Sequence, residues 1–166
     1  MSGEFTIRPA HAGDGASLAD AWIEFGREYA VLDPVHFRVP EEHEEWVELD
    51  LKTERSDDEV WLVAERDERF VGYVQAKIDR PAEDAGRQIL RDLGEPVLKV
   101  TALLVIEDQR RMGVGAGLMR AVEDWAKSRG ATRAFLTTYR GSPTAVPFYE
   151  KRMGYGPKSL GLWKQL

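Results

Sequence analysis

Cysteine is missing from this chain altogether. That absence excludes disulfide bracing, a thiolate nucleophile and any cysteine-ligated metal centre, and it makes the cytoplasm the natural expectation. An excess of positive charge is missing too: 29 acidic residues outweigh 23 lysines and arginines, for a formal net charge of −6. No overall cationic footprint is left for bulk nucleic-acid binding, although a local basic patch stays open. No run nears the ~18 apolar residues of a membrane span. The opening "MSGEFTIRPA" has no basic stretch leading into an apolar one, so no signal peptide is expected. Repeats and low-complexity tracts are absent as well. What is present is 166 residues, 43% of them hydrophobic. A single domain over residues 1–166 is expected, long enough to bury about two-thirds of its unfolded surface.

Periodicity divides the chain into elements. Phe5 and Ile7 alternate with Thr6 and Arg8 and predict a strand over residues 4–10. Leu18, Trp22, Phe25 and Tyr29 fall at helical spacing behind Asp14 or Ser17 as a cap. A second helix is expected over residues 41–52, its acidic start (Glu41, Glu42, Glu44, Glu45) suiting the helix dipole or, alternatively, forming a rim for a cationic substrate. "EVWLVAERD" and "RFVGYVQAKID" read as two antiparallel strands around a charged turn. A short helix is expected at 83–93, a central strand at 97–106, and an amphipathic helix ending near Gly130. A strand at 132–139, a short helix kinked by Pro147 and a closing strand at 159–166 complete the order. The result is a mixed α/β layer fold around one sheet, with strand 97–106, the helix and strand 132–139 forming a right-handed βαβ unit.

The stretch "EDQRRMGVGAGLM" sets Gly113, Gly115 and Gly117 between the most apolar strand and a good helix, although glycine inside a helix costs about 1 kcal/mol against alanine. Backbone N–H groups converge unpaired at such a place, small residues let a ligand approach them, and the dipole favours an anion. Arg110 and Arg111 add positive charge. The physical reading is a phosphate or diphosphate cradle; the alternative is a tight βα turn with no ligand. A nucleotide-triphosphate loop is excluded because no Gly-Lys-Ser/Thr occurs, and a dinucleotide fingerprint fails because Leu118 stands where its third glycine belongs.

The same residues carry a family resemblance. Arg110-Arg111-Met112-Gly113-Val114-Gly115, followed by Ala116 and Gly117, resembles the Arg/Gln-x-x-Gly-x-Gly/Ala loop of the GNAT superfamily of acetyl-CoA-dependent N-acetyltransferases. "AVPFYEKRMGYGP" resembles that family's second signature, with Phe148, Tyr149, Lys151, Gly154 and Tyr155 in place and one residue more than the commonest spacing. The order of elements matches along nearly the whole chain. The resemblance implies an acyl-CoA N-acyltransferase fold: a central mixed, mostly antiparallel sheet with splayed fourth and fifth strands, flanked by helices. It implies acetyl-CoA as co-substrate, no metal, and relatives that often form homodimers. Backbone N–H groups around Met112, Gly113, Val114, Gly115 and Ala116 are then expected to hold the coenzyme A diphosphate. Leu103, Leu104 and Val105 are expected to hydrogen-bond the pantetheine arm. Ser142 or Thr144 stands where relatives often carry an asparagine that touches the cofactor, and Phe148 completes the expected cofactor set.

In that family an amine attacks the thioester directly, which agrees with the lack of cysteine. A backbone N–H near Leu104 or Val105 is expected to polarise the carbonyl, and Tyr149 matches the family's general acid. A structural aromatic beside Phe148 is the other reading of Tyr149. The base stays open: "VTALLVI" offers no acid, leaving Glu24, Asp33, Glu42, His36 or a water-mediated route. Tyr29, His36, Phe37 and Glu42 are the candidate acceptor contacts. The acceptor itself is read as a small-molecule amine, with a peptide amine or a non-catalytic acyl-CoA sensor as alternatives. No nucleic-acid or membrane partner is expected.

Overall fold

Five strands in the order β1-β2-β3-β4-β5 organise the computed structural model, which describes residues 4–41 and 43–164. They are β1 (Thr6–Pro9), β2 (Glu59–Arg66), β3 (Arg69–Asp79), β4 (Val97–Val105) and β5 (Arg133–Leu136). Every neighbouring pair is antiparallel except β4–β5, which is parallel. Asp67 and Glu68, with φ of 51° and 61°, turn β2 into β3. Two left-handed residues in a two-residue connection match the twist of the strands they join.

Helices cover both faces. On one face α1 (Gly15–Leu32) and α2 (Glu44–Lys52) bury Leu18, Ala21 and Leu51 against Val63, Tyr73, Ala102 and Leu104. On the other, α3 (Val114–Ser128) buries Val114, Leu118, Met119, Val122 and Ala126 against Val74, Ala76, Leu98 and Val100. The i, i+4 spacing of Val114, Leu118, Val122 and Ala126 gives α3 its stripe. Gly130, at φ 86°, ends it: its N–H reaches Lys127 O at 3.0 Å and the Ala131 N–H reaches Ala126 O at 3.0 Å, the paired bonds of a left-handed helix stop.

Two expected elements are corrected. Residues 83–93 form no helix; 3₁₀ turns stand at Ala85–Arg87 and Arg91–Gly94. Gly86 sits inside the segment, and Ile89 and Leu90 are exposed at 97% and 54%, so no apolar face offsets the cost of nucleating a helix. Residues 159–164 join no strand, and Gln165 and Leu166 lie outside the described residues. Gly161 interrupts that stretch and Leu160 and Leu162 stay exposed.

Candidate functional site

The two strands that frame the site part company at a bulge. β4 pairs with β5 only from Val97↔Arg133 to Val100↔Leu136. On its other side β4 pairs Ala102 with Gln75 and Val100 with Ala76, so Thr101 is the extra residue. An extra residue shifts the side-chain alternation by one and bends the strand. Leu98 and Val100 face α3 before it, Leu103 and Val105 face α3 after it, and Ala102 and Leu104 take the α1 side. From Thr101 to Val105, β4 therefore has β3 on one side and no strand on the other. The fourth and fifth strands are splayed. Leu103, Leu104 and Val105 lie along that open edge.

Beyond the open edge comes the loop. A 3₁₀ turn at Glu107–Gln109 leads to Arg111 at φ 63° and Gly113 at φ 90°, and α3 starts at Val114. Among the described residues, the backbone N–H groups of 111–116 donate to no acceptor; hydrogen bonding resumes with Gly117 N–H to Gly113 O at 2.9 Å. Six consecutive unpaired donors at a helix start are the arrangement that an anion requires. The three glycines differ in what they face. Gly113 holds the left-handed turn. A methyl on Gly117 would stand 2.6 Å from the Phe5 ring, so Gly117 lets α3 approach β1. A methyl on Gly115 would meet only ordinary contacts, 3.5 Å from Phe148 and 3.6 Å from Val105.

Arg110 turns inward. Its Nε donates to Val105 O at 2.9 Å and its two Nη atoms donate to Glu28 at 2.9 and 2.6 Å. Burial would lower this guanidinium, but Glu28 and Glu24 outweigh it and raise it. Glu24 also accepts the Glu107 N–H at 3.1 Å. Two carboxylates one helical turn apart on α1 thus clamp the loop, a contact the sequence left hidden because helix and loop lie far apart in the chain. The Arg110 side chain is a strut, whereas Arg111 and Met112 are exposed, as are Glu107 and Asp108.

Tyr149 stands in the stretch that carries the second signature. One turn of helix, α4 (Ala145–Pro147), runs into a π-helical turn at Phe148–Arg152. Pro147 has no N–H to give, and Met153 N–H bonds Phe148 O at 3.1 Å, five residues back. This wider winding absorbs the extra residue that separates the stretch from the commonest family spacing. Tyr149 packs edge-on to Phe148 at 5.1 Å and to Tyr155 at 6.0 Å. Burial, and then Tyr29, pushes its phenol up to about 12, so it stays protonated at neutral pH. Its hydroxyl has no hydrogen-bond partner among the described residues. Ser142 is buried, and its Oγ accepts the Ala145 N–H at 3.1 Å, while Thr144 is the exposed residue before α4.

Where the chain leaves β5, Tyr139 joins an aromatic group. Tyr29, Phe37 and Tyr139 meet edge to face, with centroids 5.0 Å apart for Tyr29–Phe37 and Phe37–Tyr139. Asp33 ties them down. Its carboxylate accepts Tyr139 Oη–H at 2.5 Å, His36 Nδ1 at 2.8 Å and the N–H groups of Val35 and His36 at 3.0 and 3.2 Å. The Tyr139 and His36 bonds hold it down to about 2, and Tyr139 is raised in return. His36 leans on Trp163, ring centroids 4.6 Å apart. Tyr29, His36 and Phe37 are thus brought together, and Glu42 lies outside the described residues. Tyr139 was missed because "TRAFLTTY" reads as strand to its end, and only the early departure of β5 frees the tyrosine. No trio of His, Asp or Glu that could hold a metal ion occurs among the described residues.

This geometry has relatives. The model of the acetyltransferase (GNAT) family matches residues 20–155. The acetyl transferase GW6a of Oryza sativa subsp. japonica is 32% identical over 106 residues, which are 59% of this chain and 24% of that protein. The chain spans about a quarter of the length of the curated relatives it matches. Among solved structures, a transcriptional regulator from Bacillus halodurans C-125 superposes with a TM-score of 0.74 at 22% identity, over 98% of this chain and 100% of that one. A putative acetyl transferase from Pyrococcus furiosus gives 0.64 at 26% identity, over 98% and 100%.

Proposed function

The chain belongs to the GNAT acetyltransferase family, and on that premise we propose that it moves the acetyl group of acetyl-CoA directly onto a primary amine of a small molecule. The observation that carries this reading is the run of unpartnered N–H groups at 111–116, set at the open end of β4. Gly115 supports it, because a side chain there would fit the protein itself; the space it leaves suits a ligand. Met112, Gly113, Val114, Gly115 and Ala116 hold the diphosphate through their N–H groups, and Leu103, Leu104 and Val105 present main chain to the pantetheine arm.

Bound there, acetyl-CoA supplies an activated thioester. A main-chain N–H near Leu104 or Val105 polarises its carbonyl. The amine nitrogen bonds the carbonyl carbon, the C–S bond breaks, and Tyr149 gives its proton to the departing sulfur. The amine's proton leaves to a base. Asp33 is a poor one: four donors saturate it and it stays ionised down to about pH 2. Glu24 is engaged with Glu107 and Arg110. The Nε2 of His36, whose Nδ1 is fixed on Asp33, and ordered water are the routes left. Tyr29, Phe37 and Tyr139 form the acceptor wall. Action in the cytoplasm as a homodimer belongs to the same proposal; no helix among the described residues is long and apolar enough to cross a membrane.

Titration calorimetry with acetyl-CoA, followed by a panel of amines read by free-thiol release, tests the reading. Binding and amine-dependent thiol release are expected. In Tyr149→Phe, turnover should fall by about 10²–10⁴ while acetyl-CoA binding stays unchanged. Binding without turnover on any amine would leave a sensor, and no binding would end the assignment.

A further inference from the structure

Among the described residues, Arg66 is the one arginine with buried nitrogens left without a partner. It ends β2 beside the loop, and its Nη1 donates to Gln109 Oε1 and lies 3.1 Å from Met112 Sδ. Its Nε and Nη2 are buried and have no hydrogen-bond partner; among the described residues they are the only buried side-chain atoms left so. The other half-buried arginines are answered: Arg8 pairs with Asp14 and Glu65, Arg110 pairs with Glu28, and Arg55 donates to Asp50 O and lies over the Trp61 ring. Glu65, just before Arg66, is spent on Arg8, Asp108 of the loop turns toward Arg69, and Asp67 and Glu68 form the exposed turn that follows. No described carboxylate comes within 4.0 Å of Arg66.

A guanidinium taken from water without a counter-charge loses hydration, and the Gln109 and Met112 contacts of one nitrogen leave the other two uncompensated. Such a group in a native fold calls for an explanation. Its two contacts, Gln109 and Met112, belong to the loop whose own donors at 111–116 are unpartnered. Arg66's unpartnered nitrogens are thus tied to the loop that carries the free backbone donors, and the carboxylates at that loop, Glu24, Glu28, Glu107 and Asp108, bond neither.

We propose that Arg66 is a positioning residue of the diphosphate cradle: it props the loop through Gln109 and Met112, and the diphosphate of the coenzyme A thioester supplies its missing counter-charge. This rests on the acetyl-CoA reading above and extends it to a residue on the opposite hairpin, outside both signature stretches. An ordinary structural arginine stabilises the empty protein. Arg66 instead burdens the empty protein, and the bound anion relieves that burden.

The two roles give opposite signs in Arg66→Met, which keeps the length and removes the charge. The empty variant should be as resistant to urea as the wild type, or more so, since an unpaired buried cation gives way to an apolar chain. Its dissociation constant for coenzyme A should rise about tenfold in calorimetry, and the weakening of binding by added salt should become shallower. Arg66→Lys, which keeps the charge, should retain most of the affinity. Dephospho-coenzyme A should show the same ratio between wild type and Arg66→Met, because it keeps the diphosphate and lacks only the 3′-phosphate. An unchanged affinity in Arg66→Met overturns the inference and leaves the acetyl-CoA reading standing. So does a variant that fails to fold or loses urea resistance in parallel with affinity, with Arg66→Lys no better. Loss of the ratio with dephospho-coenzyme A moves the charge to the 3′-phosphate and overturns the diphosphate assignment. A wild type that binds no coenzyme A defeats the earlier reading itself.

Discussion

Three glycines within five positions of one loop do three different jobs, and only their surroundings separate them. Gly113 supplies a φ of 90°, and Gly117 makes room for Phe5. Gly115 has neither excuse, since an added methyl would find contacts of 3.5 and 3.6 Å. Replacing it with alanine should therefore hold or raise stability, by up to about 1 kcal/mol from helix propensity. Coenzyme A binding should weaken in the same variant. Thermal melts with and without coenzyme A check both halves, and a variant that binds as well as wild type would return Gly115 to a plain turn. The sequence showed the clustering and the flanking arginines, from which an anion cradle is expected. It did not show that Arg110 would turn inward to Glu28, because a guanidinium's direction depends on a helix some 80 positions away.

At the scale of elements, β3 and β4 come unusually close where the site begins. A Cβ on Gly72 would lie 2.6 Å from Leu104 O and 3.1 Å from Val105 Cα, both main chain with little freedom to yield. Gly72→Ala should cost about 1–3 kcal/mol and displace the segment expected to face the thioester. Urea melts read the first effect, and a raised acetyl-CoA dissociation constant reads the second. Strand identities were legible because alternation and apolar runs survive packing. The bulge at Thr101 was not, because the run from Ala102 to Ile106 is apolar on both faces and hides a shift of one residue. The π turn was half legible: Pro147 and one surplus residue announced a disturbance, and the structure resolves it by widening the winding rather than breaking it. Residues 83–93 read as helix from composition, yet without a face to bury they stay in short turns.

Across the whole molecule, α1 holds both walls of the site. Its middle grips the loop through Glu24 and Glu28, and its end grips Tyr139 through Asp33. This makes stability sensitive to acid in a defined way. Asp33 sits at about 2 in the folded chain against an ordinary 3.8. A depressed carboxyl contributes fully above its unfolded value and loses its contribution as pH falls through the folded one. The stability gap between wild type and Asp33→Asn should be widest above pH 4 and should narrow from about pH 4 to about pH 2, as read by urea midpoints. Sequence alone named Asp33 among bases; the fold makes it a fastener. The parting of β4 from β5 has a last consequence. A half-zipped ladder invites any stray extended peptide to add itself along the free rung. Sealing that slot with a thioester would also guard the protein against clumping, so the loaded form should be the one that survives crowding and heat.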